Sequence, residues 1–127
     1  MIVVDASTAV AALLHSGQAR ESVKGQRPHA PHLIDPEVAS TLRRLVLVNA
    51  LTARDGKRAL DAWRKLRVRR HAIHPLLGRV WELRENLSAY DASYAALAEA
   101  LDCPLVTADA RLSRASGIAC TVTVVPR

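Results

Sequence analysis

The 127-residue chain has no phenylalanine, one methionine, two cysteines and four aromatic residues: Trp63, Trp81, Tyr90 and Tyr94. So few aromatics argue against a fold that reads single strands by stacking bases on aromatic platforms. The longest apolar runs, such as Ala9–Leu14 and Leu45–Val48, fall well short of the ~18 residues of a membrane span. Met1-Ile2-Val3-Val4-Asp5 has no basic n-region, so no secretory signal is expected. Cys103 and Cys120 show neither C-x-x-C nor metal-ligand spacing; they fit a reducing cytoplasm as small apolar residues. Lysine is also scarce, and fifteen of the eighteen cations are arginine.

What is present suits a folded enzyme-sized unit. Half of the residues are apolar and 24% are charged, enough to bury a core. The length fits one domain, residues 1–127, against a usual ~100–200 residues per domain. Eighteen Lys and Arg against twelve Asp and Glu leave a net charge of +6. Such a surface favours a polyanionic partner, most often nucleic acid, although a basic proteome yields basic proteins without one.

Short β-branched runs alternate with helical patterns. Ile2–Val4, a segment near His29, Val68–His74, Pro104–Thr107 and Cys120–Val125 read as strands. Ser7-Thr8 offers an N-cap for a helix over Ala9–Leu14. Gly17–Pro31 reads as loop with one helical turn at most. Asp35-Pro36-Glu37 starts the next helix with an Asp cap and Pro in the first position. Thr52-x-x-Asp55 and Ser88-x-x-Asp91 are capping boxes, the latter opening a helix over Ala89–Leu101. Another helix follows Leu77, and a short one covers Asp109–Ala115. This alternation predicts a three-layer α/β/α domain with a mainly parallel central sheet. In such sheets the functional site lies beyond the carboxyl ends of the strands.

Four acids are candidates for that rim. Asp5 ends the first strand and Asp109 follows the Leu105–Thr107 run; Glu37 and Asp91 occupy first turns of helices. Taken singly, Asp91 is a capping-box acid, Asp109 an N-cap and Glu37 an ordinary helix-dipole partner. Asp5 is hardest to explain that way, having no capping geometry of its own in this reading. Jointly the bland account needs four coincidences at one sheet edge. Clustered carboxylates need a cation, and an all-oxygen donor set selects Mg²⁺ or Mn²⁺. Metal-holding acids on a basic chain together indicate a nuclease working by metal-activated water.

The segment Arg54–Arg70 holds eight cations against Asp55 and Asp61. It reads either as a solvated helix face or as an RNA-backbone track with Arg64, Arg67 and Arg70 as contacts. Among rivals, a haloacid-dehalogenase-like phosphatase wants a second acid where Ser7 stands. A receiver domain wants adjacent early acids and a late lysine, yet lysine occurs only at 24, 57 and 65. A non-catalytic RNA-binding module leaves the acids unexplained. The histidines at 15, 29, 32, 71 and 74 have no ligand spacing.

Val3-Val4-Asp5-Ala6-Ser7, Pro36-Glu37-Val38-Ala39, Leu87-Ser88-Ala89-Tyr90-Asp91-Ala92 and Leu105-Val106-Thr107-Ala108-Asp109-Ala110-Arg111-Leu112 follow in order. With them the chain resembles the PIN-domain ribonucleases of the VapC type, the toxins of type II toxin–antitoxin pairs. The resemblance implies a PIN-like fold and a Mg²⁺-dependent endoribonuclease, with Asp5, Glu37, Asp91 and Asp109 as its acidic quartet. Asp5 and Asp91 are then the most direct metal ligands, Glu37 and Asp109 completing the site. Ser7 and Thr107 match hydroxyl positions that hold water or phosphate. The resemblance also implies an RNA substrate, a VapB-type antitoxin and a homodimer. The alternative is a housekeeping PIN nuclease with no antitoxin.

Overall fold

Ile2, Val3 and Val4 form β1 (Ile2–Val4), buried on both faces, as a continuous β-branched run at the centre of a parallel sheet should be. The computed structural model describes residues 1–127. β2 (Pro28–Pro31) and β4 (Leu105–Thr107) flank β1, while β3 (Arg69–His71) and β5 (Val122–Val124) form the edges. The order is β3-β2-β1-β4-β5 and every neighbouring pair is parallel, as expected. Val3 lies opposite His29 on one side and Leu105 on the other. The carboxyl ends of β1 and β4 therefore emerge side by side.

Two helical layers cover the sheet. α1 (Ala6–Leu14), α2 (Gln18–Gly25), α3 (Ile34–Leu47) and α4 (Ala53–Lys65) pack on one another as one layer. α5 (Leu77–Glu82) packs on α6 (Ala89–Leu101), which lies against β1, β2 and β4. Seven consecutive α6 residues, Ala92–Ala98, are buried. A helix buried all round needs small side chains to approach the sheet closely, and its alanines supply them. α4 is amphipathic, burying Gly56, Ala59 and Trp63. A Cβ at Gly56 would lie 3.0 Å from Val46 Cγ2, so glycine permits the close α3–α4 approach.

Several local expectations are corrected. The Gly17–Pro31 stretch contains a full helix, α2, because Ala19 and Val23 are buried one turn apart. α1 begins at Ala6, not after Ser7-Thr8, and its cap is Asp5. α3 begins at Ile34 with no side-chain cap, so Asp35 and Pro36 lie inside its first turn. Pro36 is tolerated there because first-turn N–H groups have no intrahelical partner. The strand expected over Val68–His74 is only Arg69–His71; a 3-10 turn at His74–Leu76 contains Pro75. The final strand is likewise trimmed to β5. A 3-10 helix spans Ala110–Arg114. Both thiols are free, and no helix is long and apolar enough to cross a membrane.

Candidate active site

The end of β1 delivers Asp5 onto the carboxyl rim, and the turn into α1 fixes its side chain. Asp5 Oδ1 accepts from the Thr8 N–H at 3.0 Å and from Ser7 Oγ at 2.7 Å. Oδ2 accepts from Thr107 Oγ1 at 2.5 Å, across the β1–β4 pair. Asp5 is 6% exposed. It thus does cap a helix, contrary to the sequence reading, and its two oxygens also bind two hydroxyls. Thr8, fully buried, donates to the Val106 carbonyl at 2.8 Å and locks the start of α1 to β4.

Ser7 and Thr107 were expected against water or phosphate. Thr107 is fully buried and donates to Asp5, so it stands behind the carboxylate. Its oxygen also accepts from the Asp109 N–H at 3.0 Å. Ser7 is partly exposed; it donates to Asp5 and accepts from the Ala108 N–H at 2.9 Å. Both hydroxyls therefore hold Asp5 in one orientation and tie β1 to the turn after β4.

Asp91 and Glu37 come from opposite layers. Asp91 sits in the first turn of α6, where the Ser88 hydroxyl accepts from its N–H at 3.2 Å. Its carboxylate is half-buried, and burial, then Asp5 and Asp109, push its pKa upward against the pull of Arg111 and Ser88. Glu37, in the first turn of α3, accepts from Tyr94 Oη at 2.6 Å. Burial raises the Glu37 pKa; Tyr94 opposes this, while Asp91 and Asp5 reinforce it. Glu37 and Asp91 thus each feel Asp5, and Asp91 also feels Asp109: the four acids share one field at one rim.

Asp109 differs. It caps the 3-10 helix by accepting from the Arg111 N–H at 3.0 Å, and the Arg111 guanidinium adds a 2.6 Å contact to Oδ2. Arg111 chiefly holds its pKa below the ordinary carboxylate value. No three acids close around a single point in this arrangement, with Glu37 turned to Tyr94 and Asp109 to Arg111. The donor set itself is all carboxylate oxygen, suited to a hard divalent cation. Burial first, and neighbouring carboxylates second, raise the pKa values of Asp91 and Glu37.

The sequence reading missed Tyr94. It is 2% exposed, one turn after Asp91, and burial followed by Glu37 keeps it protonated as a donor. The signal was its spacing: an aromatic three residues after the acid shares the inward face of α6. Arg111 was also missed, though it lies two residues after Asp109.

The basic segment divides. Arg70 is bound bidentately by Asp35, Nε–Oδ2 2.6 Å and Nη2–Oδ1 2.8 Å, and donates to the Val68 carbonyl at 3.0 Å. Arg70, one of the three expected RNA contacts, thus has its charge met within the fold: Asp35 joins α3 to β3 through Arg70 and to α4 through Trp63 Nε1 at 2.7 Å. Arg64 projects from α4 at 75% exposure, 3.6 Å from Asp61. Arg67 is exposed beyond the end of α4, with no ion pair.

The chain is similar to known proteins of one family. The PIN domain family matches residues 2–118. The ribonuclease VapC9 of Mycobacterium tuberculosis is 60% identical over 127 residues, all of both chains. Ribonuclease VapC1 of the same organism is 42% identical, covering 97% of this chain and 96% of its own. Among solved structures, PAE2754 from Pyrobaculum aerophilum aligns with a TM-score of 0.71 at 25% identity, over 97% of this chain and 83% of that one. VapBC2 from Rickettsia felis, bound to a DNA fragment from its promoter, aligns at 0.69 and 16% identity over 96% and 97%.

Proposed function

This chain belongs to the PIN-domain family, among its VapC ribonucleases, and from that premise we propose a Mg²⁺- or Mn²⁺-dependent endoribonuclease acting as the toxin of a VapBC-type pair. What supports the proposal is the placement of the acids on the chain: Asp5 at the end of β1, Asp109 just after β4, and Glu37 and Asp91 in the first turns of α3 and α6, with Asp5 acting on both of the latter. Asp5 and Asp91 would be the principal residues holding the metal, with Glu37 and Asp109 completing the set. A bound Mg²⁺ supplies Lewis-acid stabilisation of charge on the phosphoryl oxygens and eases deprotonation of the attacking water.

The protein's own groups act around that ion. Ser7 and Thr107 orient the Asp5 carboxylate from behind. Tyr94 fixes Glu37 on the other side of the site, and its buried hydroxyl keeps its proton. Arg111, exposed and paired with Asp109, would be available to a phosphate if Asp109 helped to hold the metal. The basic surface then holds the RNA chain.

An apolar groove between α1 and α3 supports the antitoxin part of the proposal. It has a volume of about 480 Å³ and is lined by Val10, Leu14, Leu45 and Leu51, with Ser7 at one end. A partner helix laid there places its end two residues from Asp5, where an inserted arginine binds carboxylates bidentately. A homodimer completes the proposal. Leu77 and Trp81, one turn apart on α5 and 54% and 68% exposed, are the apolar surface for it to cover.

The purified protein is expected to cleave RNA with Mg²⁺ and to stop on adding EDTA. Asp5→Asn should be inactive yet folded. Expression should arrest growth unless the partner is co-expressed. Near-wild-type cleavage by Asp5→Asn would overturn the metal mechanism; harmless expression without any partner would overturn the toxin reading.

A further inference from the structure

The opposite, amino-terminal rim of the sheet carries a second charged feature. Where α2 runs into β2 and α4 runs into β3, a cleft of about 910 Å³ is lined by Lys24, Arg27, His29, Lys65, Arg67 and Arg69. No acid lines it. All five Lys and Arg side chains are exposed, and none makes an ion pair, whereas Lys57, Arg64, Arg70, Arg79 and Arg111 all do. Two of the chain's three lysines are here. Every charge that reaches His29 is positive: His71, Arg69, the N-terminal ammonium and Arg27, which add to burial in lowering its pKa.

Five cations converging without a counter-charge are a standing electrostatic cost that a polyanion relieves. The strands between the rims have three or four residues, a height of roughly 10–13 Å at ~3.3 Å per residue. The cleft is therefore separate from the acids, yet within reach of an RNA that passes over the β3 edge of the sheet. An open, cation-lined cleft suits a run of phosphates rather than a base, since no aromatic ring but His29 lines it.

We propose that this cleft is an exosite for the phosphate backbone of the substrate RNA, holding a segment several nucleotides from the scissile bond. The choice of RNA rests on the ribonuclease reading above. The charge pattern does not depend on it.

The test measures binding without cleavage. A fluorescein-labelled twenty-nucleotide oligouridylate and a tRNA are titrated with wild type and with the triple variant Lys24→Gln, Arg27→Gln, Arg69→Gln, in EDTA. Losing three phosphate contacts should weaken binding tenfold or more at low salt and flatten the slope of log affinity against log salt by about 2–3. An unchanged slope overturns the exosite. Displacement of RNA from wild type by micromolar pyrophosphate also overturns it, by marking a small-anion pocket. Lysine acetylation of the wild type provides a check that needs no variant. RNA should protect Lys24 and Lys65 but not Lys57, and equal protection of all three refutes the placement. If RNA binds with the expected slope change while no RNA is ever cut with Mg²⁺, the ribonuclease reading fails and the exosite stands.

Discussion

Thr107→Val separates two accounts of one hydroxyl. The substitution nearly preserves shape at a position with no exposed surface and removes only the polar group. That group donates to Asp5 Oδ2 at 2.5 Å and accepts from the Asp109 N–H at 3.0 Å. A hydrogen bond to a charged partner contributes about 1.5–3 kcal/mol. At ~2.1 cal/mol/K per residue, unfolding 127 residues has an entropy of roughly 0.27 kcal/mol/K. Metal-free Tm is therefore expected to fall by about 6–11 °C. In an Asp5→Asn background the same change should cost about half as much, because a neutral acceptor makes the weaker bond. Thermal melts of the four proteins in EDTA at neutral pH give the cycle, with cleavage measured in parallel. Cleavage should fall with the stability loss, through a less firmly oriented Asp5. A variant that melts within about 1 °C of wild type yet cannot cut RNA would refute this reasoning. The hydroxyl would then act on substrate rather than on Asp5.

Asp91→Asn is expected to raise the metal-free Tm, because it removes a half-buried charge facing Asp5 and Asp109. Since folding raises this pKa above its ordinary 3.8, the folded state binds more protons in that window. Wild-type stability then falls as pH rises through it, so the variant's advantage is absent below the ordinary value and full at neutral pH. A variant less stable than wild type at neutral pH would give Asp91 back to helix capping. Arg70→Gln should lower stability by about 1 kcal/mol, the Asp35 pair being partly exposed. It should leave the salt slope of RNA binding unchanged; a flattened slope would restore Arg70 to the RNA track. Arg111→Gln should tighten Mn²⁺ binding, measured by calorimetry, by freeing Asp109 from its ion pair. Weaker binding would show that Arg111 instead helps to form the metal site.

The sheet was legible because its strands announce themselves twice, as β-branched runs and as the intervals between helices. Parallel order followed from that alternation alone. α2 was hidden because Gly17 and Gly25 bound an eight-residue segment with only two buried side chains, too few to set a period. α1 was displaced by three residues because three of the four residues from Asp5 to Thr8, all but Ala6, belong to good capping types. Only the pairing of β1 with β4 selects among them. Thr8 is taken by the Val106 carbonyl, and Ser7 turns to Ala108. Asp5 is left to accept from the Thr8 N–H.

The same competition explains why the acids were found and their partners were not. A carboxylate directly after a buried strand is visible because the sequence pattern around it does not single it out as a cap. Its partner is usually distant and satisfies some local rule as well: Tyr94 is 57 residues from Glu37 and reads as core, and Arg70 is 35 residues from Asp35 and reads as part of a charge run. Those partners divide the quartet into two kinds. Asp5 and Asp109 have their charge met by fixed donors, the hydroxyls and Thr8 N–H for one and Arg111 for the other. Asp91 and Glu37 have pKa values raised by burial first and then by nearby acids, Asp5 and Asp109 for Asp91, Asp91 and Asp5 for Glu37, with Tyr94 the only strong donor to Glu37. A cation held by these acids would relieve most at Asp91, where no strong donor competes. Metal affinity should accordingly depend more on Asp91 than on Asp109, whose capping bond and ion pair must be given up before it can serve as a ligand.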